Sequence, residues 1–367
     1  MTIETNITKM FGIKHPIFSA AMGPFYTTDL CVAVSEAGGL GVLSHTTIKR
    51  GADIGNETTT GAARLGADAL EAMKENMKFV VEHTDKPFGF NIRTSRNEVQ
   101  ATKLCEEIPK FIMENPKIKK QCIYALTSAG SSRKLPSSES FQKLKKDSEI
   151  KHFHVAPALW LADKCVASGV DGMVVTGGEG GGHQSYEKVS TLVLLQQVQK
   201  KHPNFPILAC GGFATGAGLA AALSMGAGGI AMGSRFIASK DAEFHESYKG
   251  VVPTSKASDT VLVTGALGPI RLWKNEYSLH HGLVADKEAK MAEEQQVAKM
   301  SREDMIKEFI ASANAYLAAY RGDVSSGAVL LGQSIGVIDS IESVSDIIND
   351  VVSGAEKLIK NAAANIK

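Results

Sequence analysis

The chain has 367 residues, 44% hydrophobic and 22% charged, the balance of an ordinary packed globular protein. Its net charge of +1 excludes electrostatic capture of nucleic acid or of an anionic membrane as its organising purpose. No apolar run reaches the roughly 18 residues of a membrane-spanning helix, and the N-terminus MTIETNITKMFGIKHPI has no signal-peptide core. The five cysteines, Cys31, Cys105, Cys122, Cys165 and Cys210, are scattered and form no CxxC pair. That pattern argues against a disulfide framework and a zinc site, and sets the expectation of a reducing cytoplasm. The expected partner is a small-molecule substrate, with no metal. Homo-oligomerisation stays open.

Along the first 236 residues, short apolar runs alternate with longer amphipathic stretches. The runs are 16–22, 39–45, 87–92, 122–130, 152–158, 172–178, 206–212 and 228–234, eight strand candidates in all. They are near-continuously apolar, as parallel strands covered on both faces should be. Between them the pattern predicts helices over 28–37, capped by Thr27 or Thr28, then over 64–83, 99–114 and 217–225. The polar stretch TTIKRGADIGNETTTGAARLG, after the second strand, reads as an elaborated loop.

Eight such units in about 240 residues is the count of a (β/α)8 barrel. A doubly wound open sheet also alternates and is the rival, but chemistry at several strand ends suits the barrel better. Beyond Phe236 the composition turns toward charge and helix formers. The expected division is a barrel over 1–240, a helical subdomain over 241–325, and a C-terminal segment, 326–367, that packs back on the barrel.

In a barrel, function gathers at the C-terminal ends of the strands. The sixth strand ends in TGGEGGGH, where five of the seven residues before His183 are glycine. Glycine loses the most entropy on folding, so this loop implies close approach of backbone to something. An imidazole there can act as base or donor near neutral pH. Glu179, in the same loop, reads as a carboxylate that holds the loop or faces solvent. Gly211-Gly212 and Gly233-Ser234 end the last two strands. Either pair alone makes a tight turn; both together, on adjacent strands, point to a phosphate cradle. Asn91 ends an apolar strand, where its amide either caps the loop or bonds a planar heterocycle. Met22 is core filler or the wall of a flat ring. His152 and His154 share one face of the fifth strand, and they are structural if Val155 points inward. His280 and His281 read as surface residues. HExxH, P-loop and post-strand GxGxxG motifs are all missing, which argues against zinc protease, NTPase and Rossmann chemistry.

Taken together, HPIFSAAMGPF, AVSEAGGLGVLS, PFGFNIR, GVDGMVVTGGEGGGHQS and PILACGGFATGAGLAAALSMGAGGIAMGSRF resemble the nitronate monooxygenase (2-nitropropane dioxygenase-like) family of FMN-dependent barrels. The resemblance covers residues 8–240 and, more loosely, the C-terminal third. It implies FMN, with Ala21 and Met22 against the isoalloxazine and Asn91 bonding the flavin region. Thr176 would contact the cofactor, and Gly181 would let backbone pass close to it. Gly211, Gly212, Gly233 and Ser234 would hold the phosphate, and His183 would be the active-site histidine.

Two departures from the family stand out. The loop reads EGGGH where many members have EAGGH, and Val155 stands where several carry a basic or polar residue. The implied reaction is oxidation of alkyl nitronates with O2 to a carbonyl compound and nitrite. The alternative is an NAD(P)H-dependent reductase of an enoyl thioester or quinone. A third reading is a binding barrel without catalysis.

Overall fold

The apolar runs become the strands β1 (Ile17–Ser19), β2 (Gly41–Leu43), β3 (Phe88–Arg93), β4 (Cys122–Ser128), β5 (Lys151–Ala156) and β6 (Gly172–Thr176). After a two-residue strand β7 (Gly182–His183) come β8 (Ile207–Cys210) and β9 (Gly229–Met232). These are seen in a computed structural model that describes residues 3–48, 68–95, 98–265, 268–279 and 301–366, with isolated positions between 280 and 300. The loop expected after β2 falls largely outside the described residues, as do His280 and His281.

Parallel pairing runs in the order β2, β3, β4, β5, β6, β8, β9, β1. A parallel bridge between Phe18 and Leu40 joins the two ends. Leu40 N donates to Ile17 O at 2.9 Å and Ser19 N to Leu40 O at 3.1 Å, so the ring is closed. This is the expected (β/α)8 barrel. Closure leaves no edge for the open-sheet rival.

The strands alternate strictly between two faces, as period two requires. On β3, Phe88, Phe90 and Ile92 go to the helix layer, leaving Gly89, Asn91 and Arg93 for the interior. On β4, Tyr124 and Leu126 point inward. Val155 also belongs to the interior, and His152 and His154 turn outward, where both bond the Thr127 hydroxyl at 2.7 Å. At the N-terminal end of the strands, Phe11 plugs the barrel against Phe18, Tyr124 and Phe153, with ring centroids 5.4–5.7 Å apart.

The expected helices form over Thr28–Glu36, Ala69–His83, Ala101–Glu114 and Gly216–Ser224. Residues 241–325 carry helices at Glu246–Gly250 and Arg302–Tyr320, but also a β-hairpin, β10 (Thr260–Gly265) and β11 (Gly268–Trp273). β11 extends onto β7, pairing Ile270 with His183 and Arg271 with Gly182. The C-terminal helix Val344–Ala364 packs on Gly216–Ser224, where the backbones of Gly216 and Gly354 touch. Among the described residues, no helix is long and apolar enough to cross a membrane.

Candidate active site

The C-terminal strand ends open onto one cavity of about 500 Å³. Ala21, Met22, Asn91, Thr176, Gly181, His183, Gly211, Gly212, Gly233 and Ser234 all line it. Residues spread over more than 200 positions are thus brought to one place by barrel closure.

Local bonding decides what each can offer. Met22 is positioned through its backbone, whose N–H donates to Ser44 Oγ at 2.8 Å. The Asn91 amide nitrogen donates to Leu126 O at 3.2 Å and Ser128 Oγ at 3.1 Å. Both its hydrogens are therefore used, and its carbonyl oxygen is what it has to offer a ligand: an acceptor. Gly211 and Gly212 have φ of +85° and +90°, conformations that favour glycine. Gly233 differs. A Cβ there would come no closer than 3.7 Å to another part of the chain. Packing does not require that glycine; the bare backbone faces open cavity.

The loop after β6 spends several of its glycines on the protein itself. A Cβ at Gly177 would strike the Thr191 backbone at 2.1 Å, and one at Gly181 would meet Gly332 N at 2.7 Å. Glu179 holds the loop, as its Oε2 accepts from Thr191 N at 2.7 Å and Thr191 Oγ1 at 2.9 Å. Arg271 reaches from β11 to donate to Gly178 O at 2.8 Å. His183 is therefore carried on pinned backbone, while its side chain stays exposed at the cavity.

Three groups in the wall escaped sequence reasoning. Leu330, Gly332 and Ser334 come from the C-terminal segment expected to pack back on the barrel, and no local pattern announces their place in the cavity wall. Trp160 follows β5 at the cavity. Arg93, two residues past Asn91 on the same strand face, also lines it, and this was readable from FNIR by period two alone.

Arg93 sits in a closed ring of contacts. Its backbone N–H donates to His45 Nδ1 at 3.1 Å, so the buried imidazole carries its hydrogen on Nε2, which lies 3.3 Å from Glu98 Oε2. That same oxygen accepts from Arg93 Nη2 at 3.2 Å. Burial alone would push the Glu98 carboxyl up. The His45 hydrogen bond, the Arg93 charge and the Gln100 N–H act against it and hold the carboxyl below its ordinary value. Burial also lowers the His45 pKa, against the pull of Glu98, so that ring is neutral.

Comparison with known proteins places the whole chain among described relatives. The nitronate monooxygenase family model matches residues 4–354. The (3aS,4S,5R,7aS)-5-hydroxy-7a-methyl-1-oxo-octahydro-1H-indene-4-carboxyl-CoA dehydrogenase of Rhodococcus jostii is 30% identical, covering 98% of this chain and 97% of its own. A probable nitronate monooxygenase of Staphylococcus saprophyticus is 27% identical, covering 76% and 80%. Among solved structures, FabK from Thermotoga maritima superimposes with a TM-score of 0.76 at 27% identity over the whole of both chains. Nitroalkane oxidase from Streptomyces ansochromogenes shares the fold, at TM-score 0.70 and 20% identity over 97% of this chain.

Proposed function

Because the chain belongs to the nitronate monooxygenase family of oxidoreductases, we propose that its flavin is FMN and that it oxidises alkyl nitronates with O2 to a carbonyl compound and nitrite. The observation that carries this reading is the convergence on one cavity of the ten residues that the family resemblance implies.

The residues fit FMN. Gly211, Gly212, Gly233 and Ser234 would present backbone N–H groups to the phosphate, and the space over Gly233 is left open by the chain itself. Ala21 and Met22 would flank the ring system. Asn91 would offer its carbonyl oxygen to a ring N–H, and Thr176 its hydroxyl. Gly181 lines the same cavity through its backbone, its missing side chain leaving room for Gly332. When bound, the flavin supplies the redox chemistry. His183 orients the anionic nitronate, or takes the α-proton of the neutral nitroalkane. In this reading 1–240 is the FMN-binding barrel, 241–325 braces the His183 loop, and 326–367 packs back and completes the cavity wall.

A second reading has a specific observation behind it. The carboxyl-CoA dehydrogenases of Rhodococcus jostii and Mycobacterium tuberculosis align over nearly the whole chain, at 30% and 28% identity. Their name brings a CoA thioester into the substrate class; the second reading is an NAD(P)H-dependent reductase acting on an enoyl thioester, with quinones as the other acceptor class. One anaerobic titration separates the two. Holoprotein is mixed with propane-1-nitronate, NADH or NADPH, and bleaching of the flavin band is followed. Fast bleaching by the nitronate supports the first reading. Bleaching by NAD(P)H alone replaces it with the second.

A further inference from the structure

The cavity has two places for negative charge, on opposite sides of the barrel. One is the pair of glycine turns after β8 and β9. The other is Arg93, at the end of β3. In the closed ring of eight strands, β3 lies four strands from β8, diametrically across the mouth. A phosphate resting on Gly211 and Gly212 is therefore not the group Arg93 faces.

Arg93 is built in rather than left on the surface. Its side chain is 29% exposed, and Glu98 takes Nη2. Among the described residues, the other guanidinium nitrogens have no protein acceptor, and Nε is buried without one. His45 holds both the Arg93 backbone and the Glu98 carboxylate, so the guanidinium is positioned from two sides. A single carboxylate leaves most of an arginine's five donors unused. Glu179, a carboxylate lining the same cavity, is committed to Thr191.

We propose that Arg93 binds the oxyanion of the substrate, a carboxylate or nitronate, with Glu98 and His45 as positioning residues. This rests on the reading of the cavity as the substrate site. It adds a substrate-class assignment: acidic molecules are preferred over neutral ones of the same shape. Arginine suits the task because it stays charged and presents planar paired donors to two-oxygen anions.

Calorimetric titration of the purified holoprotein, in phosphate-free buffer, tests it with two matched pairs. Butanoate is compared with butanamide, and propane-1-nitronate with neutral 1-nitropropane. At least one anion should bind about tenfold or more tighter than its neutral partner, and Arg93→Met should abolish that preference while flavin content is unchanged. Arg93→Gln keeps a donor for Glu98 without the charge, and gives the same result should the Met variant not fold. The pair that shows the effect tells a carboxylate from a nitronate. Wild-type protein with no anion preference in either pair, or a preference that survives both substitutions, overturns the proposal. Turnover is not needed for this readout. Protein that binds butanoate through Arg93 but is not reduced by nitronate keeps the arginine's role and loses only the nitronate reaction.

Discussion

The backbone N–H of Gly332 donates to Ser234 Oγ at 3.0 Å, tying the C-terminal segment to the turn that ends the last barrel strand. One residue on, Gln333 N donates to Glu179 O at 2.8 Å. The His183 loop, the β9 turn and the segment around Gly332 are thus one bonded unit around the cavity.

Gly332 is where that unit is tightest. A Cβ there would lie 2.7 Å from Glu179 O and 2.8 Å from Gly181 N, backbone atoms that cannot step aside. Gly332→Ala is expected to destabilise the fold by about 1–3 kcal/mol through overpacking, and to loosen the flavin. Thermal melting checks this against Gly250→Ala, whose Cβ would meet nothing within 4 Å. Equal melting temperatures for the two variants would remove the close contact from the description.

Glu243 predicts an effect of pH. The Thr27 cap of the helix Thr28–Glu36 makes no side-chain bond to it. Glu243 substitutes from far along the chain, accepting from Asp29 N at 2.6 Å and Leu30 N at 3.3 Å. Burial raises its carboxyl pKa to about 7, against the lowering by those N–H groups. The folded protein therefore keeps this proton when the unfolded chain has lost it. Stability present at pH 4 is reduced as the pH rises from about 4.5 to about 7, by on the order of 3 kcal/mol. Glu243→Gln keeps an acceptor and cannot ionise, so denaturant melts should favour the variant progressively from pH 5 to pH 8. A difference between variant and wild type that is constant across that range would rule the effect out.

His183→Ala should retain flavin and fold, because the β7–β11 pairing is made by backbone. Its kcat/KM with the best donor should fall by about 10²- to 10⁴-fold, the range for loss of a general acid or base. Unchanged turnover with every donor would leave the barrel as a binding protein only.

The eight barrel strands were legible because a strand covered on both faces is apolar throughout, and GMVVT and PILAC read that way without any partner in view. The strand-end chemistry followed from that count, since a parallel barrel has only one functional end. The hairpin 260–273 was not legible. TVLVTG and GPIRLW are short strands inside a stretch whose composition is dominated by helix formers, and β11 finds its second partner at His183, far upstream. The wall built from Leu330 to Ser334 was hidden for the same reason, its meaning lying in a contact with Gly181. The glycines of TGGEGGGH were read as room for a ligand. Gly177 and Gly181 make room for Thr191 and Gly332.

FMN binding at the glycine turns is tested most directly at Gly233. A Cβ fits there without touching the protein closer than 3.7 Å, so Gly233→Asp should leave the barrel folded while placing a carboxylate where the phosphate rests. Flavin released by denaturation is identified and counted per chain, alongside the circular dichroism of each protein. The expected result is close to one FMN per wild-type chain and almost none in a folded Gly233→Asp variant. Wild-type protein without FMN, or a variant that keeps its full complement, would contradict it.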